Sequence, residues 1–264
     1  GMFKFFIGAL LLVFVCSGRS IAADQWLTKF AEDIQKKAQK KNLPGYTFAY
    51  IEKGKLLEKM GRINQAIDNY EFSAKLNAPN AYVIQRIGEC HIKLGNDQLA
   101  LKYFKESIKL DPNHEKSWIS LVDYFFKSGF FSKAKYYVKK SLKSNTDSEE
   151  LWKKSAEIHF KMNFFKEAGI ASQTANELGN NDFKTWIIWI DSQMYLKDWQ
   201  SALANCQLAL QYFNNQSAIL YRLAGCKMRL GRKNEAIDIF DKIKINFKIP
   251  EGFNQLFPEL ANSL

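Results

Sequence analysis

The side chains that could carry chemistry in this sequence are few and lie far apart. Its three histidines, His91, His114 and His159, show none of the short spacings typical of metal or catalytic sites. The sequence contains no Cys-x-x-Cys, His-Glu-x-x-His, Gly-x-Ser-x-Gly or phosphate-loop pattern. We therefore expect no catalytic residues, no metal site and no cofactor, and a protein that is not an enzyme.

A row of carboxylates recurs at a fixed interval of 34 residues: Glu89, Asp123, Glu157 and Asp191. Two further sets keep the same interval beside this row, namely the lysines Lys93, Lys127 and Lys161, and the apolar residues Phe126, Phe160 and Met194. Such a surface would suit a protein or peptide segment that carries lysine or arginine between apolar anchors. Alternatively, Glu89, Asp123 and Glu157 each pair with the lysine four residues later, an interaction worth about 0.2–0.5 kcal/mol.

The same interval organises most of the chain. It also separates six alanines: Ala66, Ala100, Ala134, Ala168, Ala202 and Ala236. Apolar residues at helical spacing flank a glycine or polar pair in the middle of each interval, which predicts helix, turn, helix. A recurring small residue lets two antiparallel helices approach closely. The expected units are 47–80, 81–114, 115–148, 149–182, 183–216 and 217–250.

These units resemble the tetratricopeptide repeat family. The resemblance rests on Ile84-x-x-Ile87-Gly88, on Asp111-Pro112-Asn113 and on the recurring alanines. It implies an all-α fold, a right-handed superhelical solenoid of six helix-turn-helix repeats with N- and C-terminal capping segments. It also implies that the first helix of each repeat lines a concave groove for protein ligands. Val122 and Ile190 depart from the family pattern, which has a small residue at their position.

The segments beside the repeats are expected to cap the solenoid, because a terminal repeat would otherwise expose its apolar stacking face. Residues 24–46 show the pattern of an amphipathic helix, with Leu27, Phe30 and Ile34 on its apolar face. Residues 251–264 contain further apolar side chains that could cover the last helix.

Residues 1–23 have the proportions of a signal peptide. We interpret Gly1 as a cloning remnant, and Lys4 precedes the apolar run Phe5–Cys16, which is too short to cross a bilayer. Small residues precede an expected cleavage site near Asp24: Ser20, Ala22 and Ala23. We therefore expect an exported, periplasmic protein, with an uncleaved anchor as the alternative.

The composition describes a folded, basic protein. The chain is 47% hydrophobic and 25% charged with a net charge of +11, which argues against global disorder, and its 14 glycines and five prolines are few for a β-rich fold. The predicted second helices carry much of the excess charge: Lys102, Lys105, Lys109, Lys133, Lys135, Lys139, Lys140 and Lys143. These lysines form either a solvated face or a contact with an anionic envelope surface.

The expected function is that of an exported scaffold that binds a segment of an envelope, secretion or pilus assembly protein. A regulatory subunit of an envelope enzyme is an alternative that the sequence does not separate from it. A helical-repeat nucleic-acid binder is a third, disfavoured by the export signal and the acidic row. Cys206 and Cys226 lie on neighbouring predicted helices, where they form either a disulfide or two buried thiols.

The export hypothesis predicts the N-terminus of the mature protein. Mass spectrometry of protein recovered from the periplasm of a native or related host should show a chain beginning at Ala23 or Asp24. An intact N-terminus in the cytosolic fraction would contradict export.

Overall fold

The computed structural model describes residues 45–76, 80–179, 181–214 and 216–241, together with Lys29 and Ile243. Within these residues the chain forms twelve α-helices and no strand. The helices are α1 (Gly45–Lys59), α2 (Ile63–Leu76), α3 (Ala81–Lys93), α4 (Asp97–Leu110), α5 (Glu115–Lys127), α6 (Phe131–Ser141), α7 (Glu149–Lys161), α8 (Phe165–Glu177), α9 (Phe183–Tyr195), α10 (Trp199–Tyr212), α11 (Ser217–Arg229) and α12 (Lys233–Phe240).

The predicted signal peptide and C-terminal cap lie outside the described residues, as does almost all of the predicted N-terminal cap. No helix in the described part of the chain is both long enough and apolar enough to cross a membrane.

The helices are arranged as six helix-turn-helix hairpins, which confirms the expected all-α class of fold. First helices are the odd-numbered ones, and from α3 onward they begin at residues 81, 115, 149, 183 and 217. The second helices α2, α6, α8 and α10 each pack on their own first helix and on the next one. The chain divides into two compact units, residues 1–106 and 107–264.

Each unit has its own apolar core. In the first unit, Leu57, Tyr70 and Ile84 belong to one buried cluster. In the second, a larger cluster around Ile190 and Cys206 joins α9, α10 and α11. Cys90, Cys206 and Cys226 are buried free thiols, so no disulfide joins Cys206 to Cys226.

One backbone conformation ends all six first helices. The residue two positions after each first helix has a positive φ, between 61° and 79°: Gly61, Gly95, Gly129, Asn163, Lys197 and Gly231. The following N–H then closes the turn, as Asn96 shows by donating to the carbonyl of His91 at 2.9 Å. Glycine adopts this conformation without steric cost, and asparagine tolerates it better than most residues.

The starts of several first helices are fixed by polar caps. The side chains of Asn80, Ser148 and Asp182 each accept a hydrogen bond from the backbone N–H three residues later, at 2.9, 3.1 and 3.0 Å. Such caps satisfy N–H groups that a helix start otherwise leaves without a partner.

The six recurring alanines are all fully buried, as expected for close helix contacts. Two glycines mark still closer contacts: a Cβ atom on Gly54 would lie 2.6 Å from the Tyr70 ring, and one on Gly88 would lie 2.6 Å from the Phe104 ring. Only glycine leaves room for these two rings.

The departures at Val122 and Ile190 have a compensation within the same repeat. Where the first helix carries glycine at their position, as at Gly54 and Gly88, the residue 16 positions later is the large Tyr70 or Phe104. Val122 and Ile190 are instead followed at that distance by the smaller Val138 and Cys206, and all four are fully buried. The paired volumes change in opposite directions, so each hairpin fills its interior.

This compensation predicts the result of transplanting one pair into another repeat. Gly88→Val alone should lower the free energy of unfolding by about 1–3 kcal/mol through overpacking, and Phe104→Val alone should lower it by opening a cavity. The double variant copies Val122 and Val138, so its loss should be smaller than the sum of the single losses in urea denaturation. If the losses in free energy of unfolding were additive, residues 88 and 104 would not be filling the same space inside the hairpin.

Candidate functional site

The carboxylates of the row in the second unit reach the first helix of the following repeat. On α5, Asp123 Oδ1 lies 2.9 Å from Nζ of Lys154 on α7. On α7, Glu157 Oε2 lies 2.8 Å from Nζ of Lys184 on α9. Burial acts to lower the pKa of Lys154, but the hydrogen bond to Asp123 raises it, and the pKa lies above its ordinary value. Both carboxylates therefore connect consecutive repeats.

Asp191 forms the most buried of these connections. Its two oxygens accept from Nε and Nη2 of Arg222 on α11, at 2.5 and 2.8 Å, and both residues are buried. The planar guanidinium matches the carboxylate with two parallel hydrogen bonds. Burial raises the pKa of Asp191, and Arg222 opposes this shift. Asp191 therefore exposes no carboxylate to a ligand.

In the first unit the central carboxylate is Glu58, which the sequence analysis did not identify. Arg86 donates to its Oε1, Lys93 Nζ lies 2.6 Å from its Oε2, and the Tyr70 hydroxyl donates to Oε1 at 2.7 Å. Burial disfavours the charged form, yet the hydrogen bonds from Lys93, Tyr70 and Arg86 together hold the pKa of Glu58 below its usual value. Glu89, on the same unit, accepts from Gln85 at 3.2 Å.

The lysines of the row have three different environments. Lys93 extends to Glu58 on the neighbouring first helix. Lys127 is 78% exposed and lies 4.0 Å from Asp123, the limiting distance for the expected pair four residues apart. Lys161 is exposed, with its Nζ 6.0 Å above the ring of Phe131.

Of the three predicted apolar anchors, two are partly exposed and one is not. Phe126 and Phe160 are half-buried, and each packs edge-on against the first aromatic residue of the following helix at 5.5 Å between ring centroids. Met194 is fully buried in the core of the second unit. The prediction that Met194 contributes to a ligand surface is therefore wrong for this structure, because no part of its side chain reaches solvent.

Aromatic contacts also repeat between consecutive hairpins. The first residue of α6, α8 and α10 is covered by the residue 30 positions later, at the end of the next first helix. Phe165 stacks on Tyr195 at 4.3 Å, and Arg229 lies 5.8 Å from the ring of Trp199, matching Lys161 over Phe131. Cation–π contacts at such distances are favourable.

Comparison with known proteins gives the family. Tetratricopeptide repeat models match residues 49–80, 81–114 and 194–247. The chain is a tetratricopeptide repeat protein. It is thus a scaffold-type protein of a family whose members typically bind proteins or peptides.

Two relatives with known names match parts of this repeat protein. The CTR9 homolog of Arabidopsis thaliana is 24% identical over 31% of the chain and 8% of its own length. The photosystem I assembly protein Ycf3 of Rippkaea orientalis is 30% identical over 34% of the chain and 53% of its own length. The chain spans little more than half of Ycf3 and a small part of the CTR9 homolog.

Solved structures similar to this repeat protein share its fold. The C-terminal part of a tetratricopeptide protein from Cytophaga hutchinsonii has a TM-score of 0.65 at 14% identity, covering 86% of this chain and 93% of that one. YrrB, a protein described as having an unusual peptide-binding site, has a TM-score of 0.60 at 14% identity, with 74% and 98% covered. PilF from Pseudomonas aeruginosa has a TM-score of 0.60 at 11% identity, covering 83% of this chain and 97% of that one.

Two of the cations between repeats, Lys154 and Arg222, were missed because their signal lies in a spacing of 31 residues. Asp123 is followed at that distance by Lys154, and Asp191 by Arg222. Arg86, Lys154 and Arg222 share one position of the tetratricopeptide repeat, at every second repeat. Comparing acidic and basic positions across neighbouring repeats would have revealed these pairs.

The three histidines of this repeat protein are partly buried. His91 stacks on Tyr103 at 5.4 Å, and His159 Nδ1 lies 2.8 Å from the carbonyl oxygen of Ser155. Burial lowers the pKa of His114 and of His159. Among the described residues, no three His, Cys, Asp or Glu side chains are grouped so that they could hold a metal ion.

Proposed function

We propose that this tetratricopeptide repeat protein is an exported scaffold that holds a segment of an envelope, secretion or pilus assembly protein against its first helices. The observation that supports binding is the surface on α5 and α7, where half-buried Phe126 and Phe160 follow Asp123 and Glu157 by three residues, one helical turn away. Half-buried rings beside fixed charges suit apolar anchoring with charge-dependent orientation. Export is supported by the pattern of residues 1–23.

The proposed ligand carries lysine or arginine between apolar anchors. To pair with a carboxylate of the row, this lysine or arginine has to displace the lysine that the neighbouring repeat already supplies. The pair that opens at least cost is Glu157–Lys184, because Lys184 is 63% exposed and solvent screens it. Asp123 holds the more buried Lys154 and exchanges less readily. We therefore assign the exchange to Glu157.

The exposure of the lysines favours a second candidate ligand, an acidic segment. Lys127 and Lys184 present their charges to solvent, whereas Asp123 and Glu157 are largely covered by their partners. An acidic segment would bind these lysines without displacing an internal cation. The two candidates respond in opposite directions to the removal of Lys184.

The test uses two fluorescent peptides of equal length with the same apolar residues, one with lysines and one with glutamates between them. Lys184→Ala should strengthen binding of the basic peptide about two- to fivefold, because it removes the internal competitor of an exposed pair. Glu157→Gln should weaken that binding. Fluorescence anisotropy measures both, and Lys166→Ala, which removes an exposed lysine on the second helix α8, is the matched control.

The outcomes separate the two ligands. If Lys184→Ala weakens binding of the acidic peptide and leaves the basic peptide unbound, the acidic candidate replaces the basic one. If neither peptide binds, or if binding responds equally to Lys184→Ala and Lys166→Ala, the first helices are not the recognition surface.

A further inference from the structure

A second surface, formed by second helices and turns, combines exposed aromatic rings with lysines. We name it the α6 face, and it consists of Phe130, Lys133, Lys135, Tyr136, Lys139, Lys140, Lys143 and Phe164. Phe130, Tyr136 and Phe164 are 51%, 59% and 39% exposed. These are large apolar areas to leave in water on two consecutive repeats.

The charged side chains that α6 contributes to this face are all positive. α6 carries four lysines and no acidic residue, and Lys143 follows in the next turn. Lys133, Lys139 and Lys140 lie three or four residues from Tyr136, on the same side of the helix, and all three are exposed. The exposed carboxylates nearest in sequence are Asp147, Glu149 and Glu167, which the five lysines outnumber.

Cation–π contacts join the lysines to the exposed rings. Lys133 Nζ lies 5.3 Å from the ring centroid of Phe130, and Lys135 Nζ lies 4.2 Å from that of Phe164. Because Lys135 is on α6 and Phe164 precedes α8, this contact spans two repeats. Both phenylalanines therefore lie beside α6, each in contact with one of its lysines.

The two phenylalanines occupy positions where a polar residue would cap a helix. Phe130 and Phe164 are the N-cap residues of α6 and α8, and neither provides a side-chain capping hydrogen bond. Asp198 occupies the same position before α10 and accepts from Ser201 N–H. Exposed phenylalanines where a polar cap stabilises the helix suggest selection for contact with something outside the chain.

We propose that the α6 face binds the surface of an anionic lipid bilayer. Phe130 and Phe164 would insert at the level of the headgroups, and the lysines would pair with lipid phosphates while their methylene chains lie along the apolar boundary. The phenylalanine side chain has no polar group to place in water. The partly apolar headgroup region of a bilayer therefore suits it better than the fully hydrated surface of a polyanion such as RNA. This surface differs from the first helices that carry the proposed function.

The test is flotation of the full chain with vesicles of phosphatidylcholine alone and with about one-third phosphatidylglycerol. Binding should require the anionic lipid and fall at high salt. Lys139→Gln with Lys140→Gln should weaken it about fivefold per lysine, whereas the matched pair Lys102→Gln with Lys105→Gln on α4 should change it little. Residues 1–23 are the same in every variant, so differences between variants report on the substituted face.

A second variant separates this binding from a structural role. Phe130→Asn with Phe164→Asn supplies the missing caps, so the thermal midpoint should stay the same or rise while vesicle binding falls. Binding that depends on the lysines but not on the phenylalanines would reduce the interaction to general charge attraction and overturn the proposal. An equal loss of vesicle binding in the α4 control would also overturn the proposal. So would a protein that binds single-stranded RNA and not vesicles, with the same dependence on these lysines and phenylalanines.

Discussion

A charge buried between consecutive first helices is tolerated only if the neighbouring repeat supplies its counter-charge. Asp191 and Arg222 meet this constraint deep between α9 and α11, and Asp123 with Lys154 meets it nearer the surface. A buried carboxylate without its partner would cost several kcal/mol, about 3–5 when one partner is removed. The carboxylates therefore hold repeats together first, and any role in recognition depends on how readily their internal cations are displaced.

Volume imposes a similar constraint inside each hairpin. Gly54 and Gly88 leave space for the rings of Tyr70 and Phe104, while the larger Ile190 is matched by the small Cys206. Large and small residues at these two positions thus exchange in compensating pairs. This accounts for the tolerance of the family pattern to Val122 and Ile190, since the interior volume is conserved even where residue types are not.

The fold was predictable from the sequence because its determinants are local and repeated. The recurring alanines and the glycines of the turns each specify a short-range geometry, and six copies exclude coincidence. The site was less predictable, because pairing was sought four residues away on one helix while Lys154 and Arg222 lie on the next first helix. Met194 was assigned to the surface by its register, but neighbouring helices bury it. Glu58 replaces an apolar residue, so the apolar pattern did not reveal it.

The claim that carboxylates of first helices join consecutive repeats is tested most directly by a double-mutant cycle on Asp191 and Arg222. Urea denaturation would compare Asp191→Ala, Arg222→Ala and the double variant with the unchanged chain. Each single change should cost about 3–5 kcal/mol, and the double change should cost less than the sum by more than about 1 kcal/mol. Losses that add to within about 0.5 kcal/mol would contradict the account.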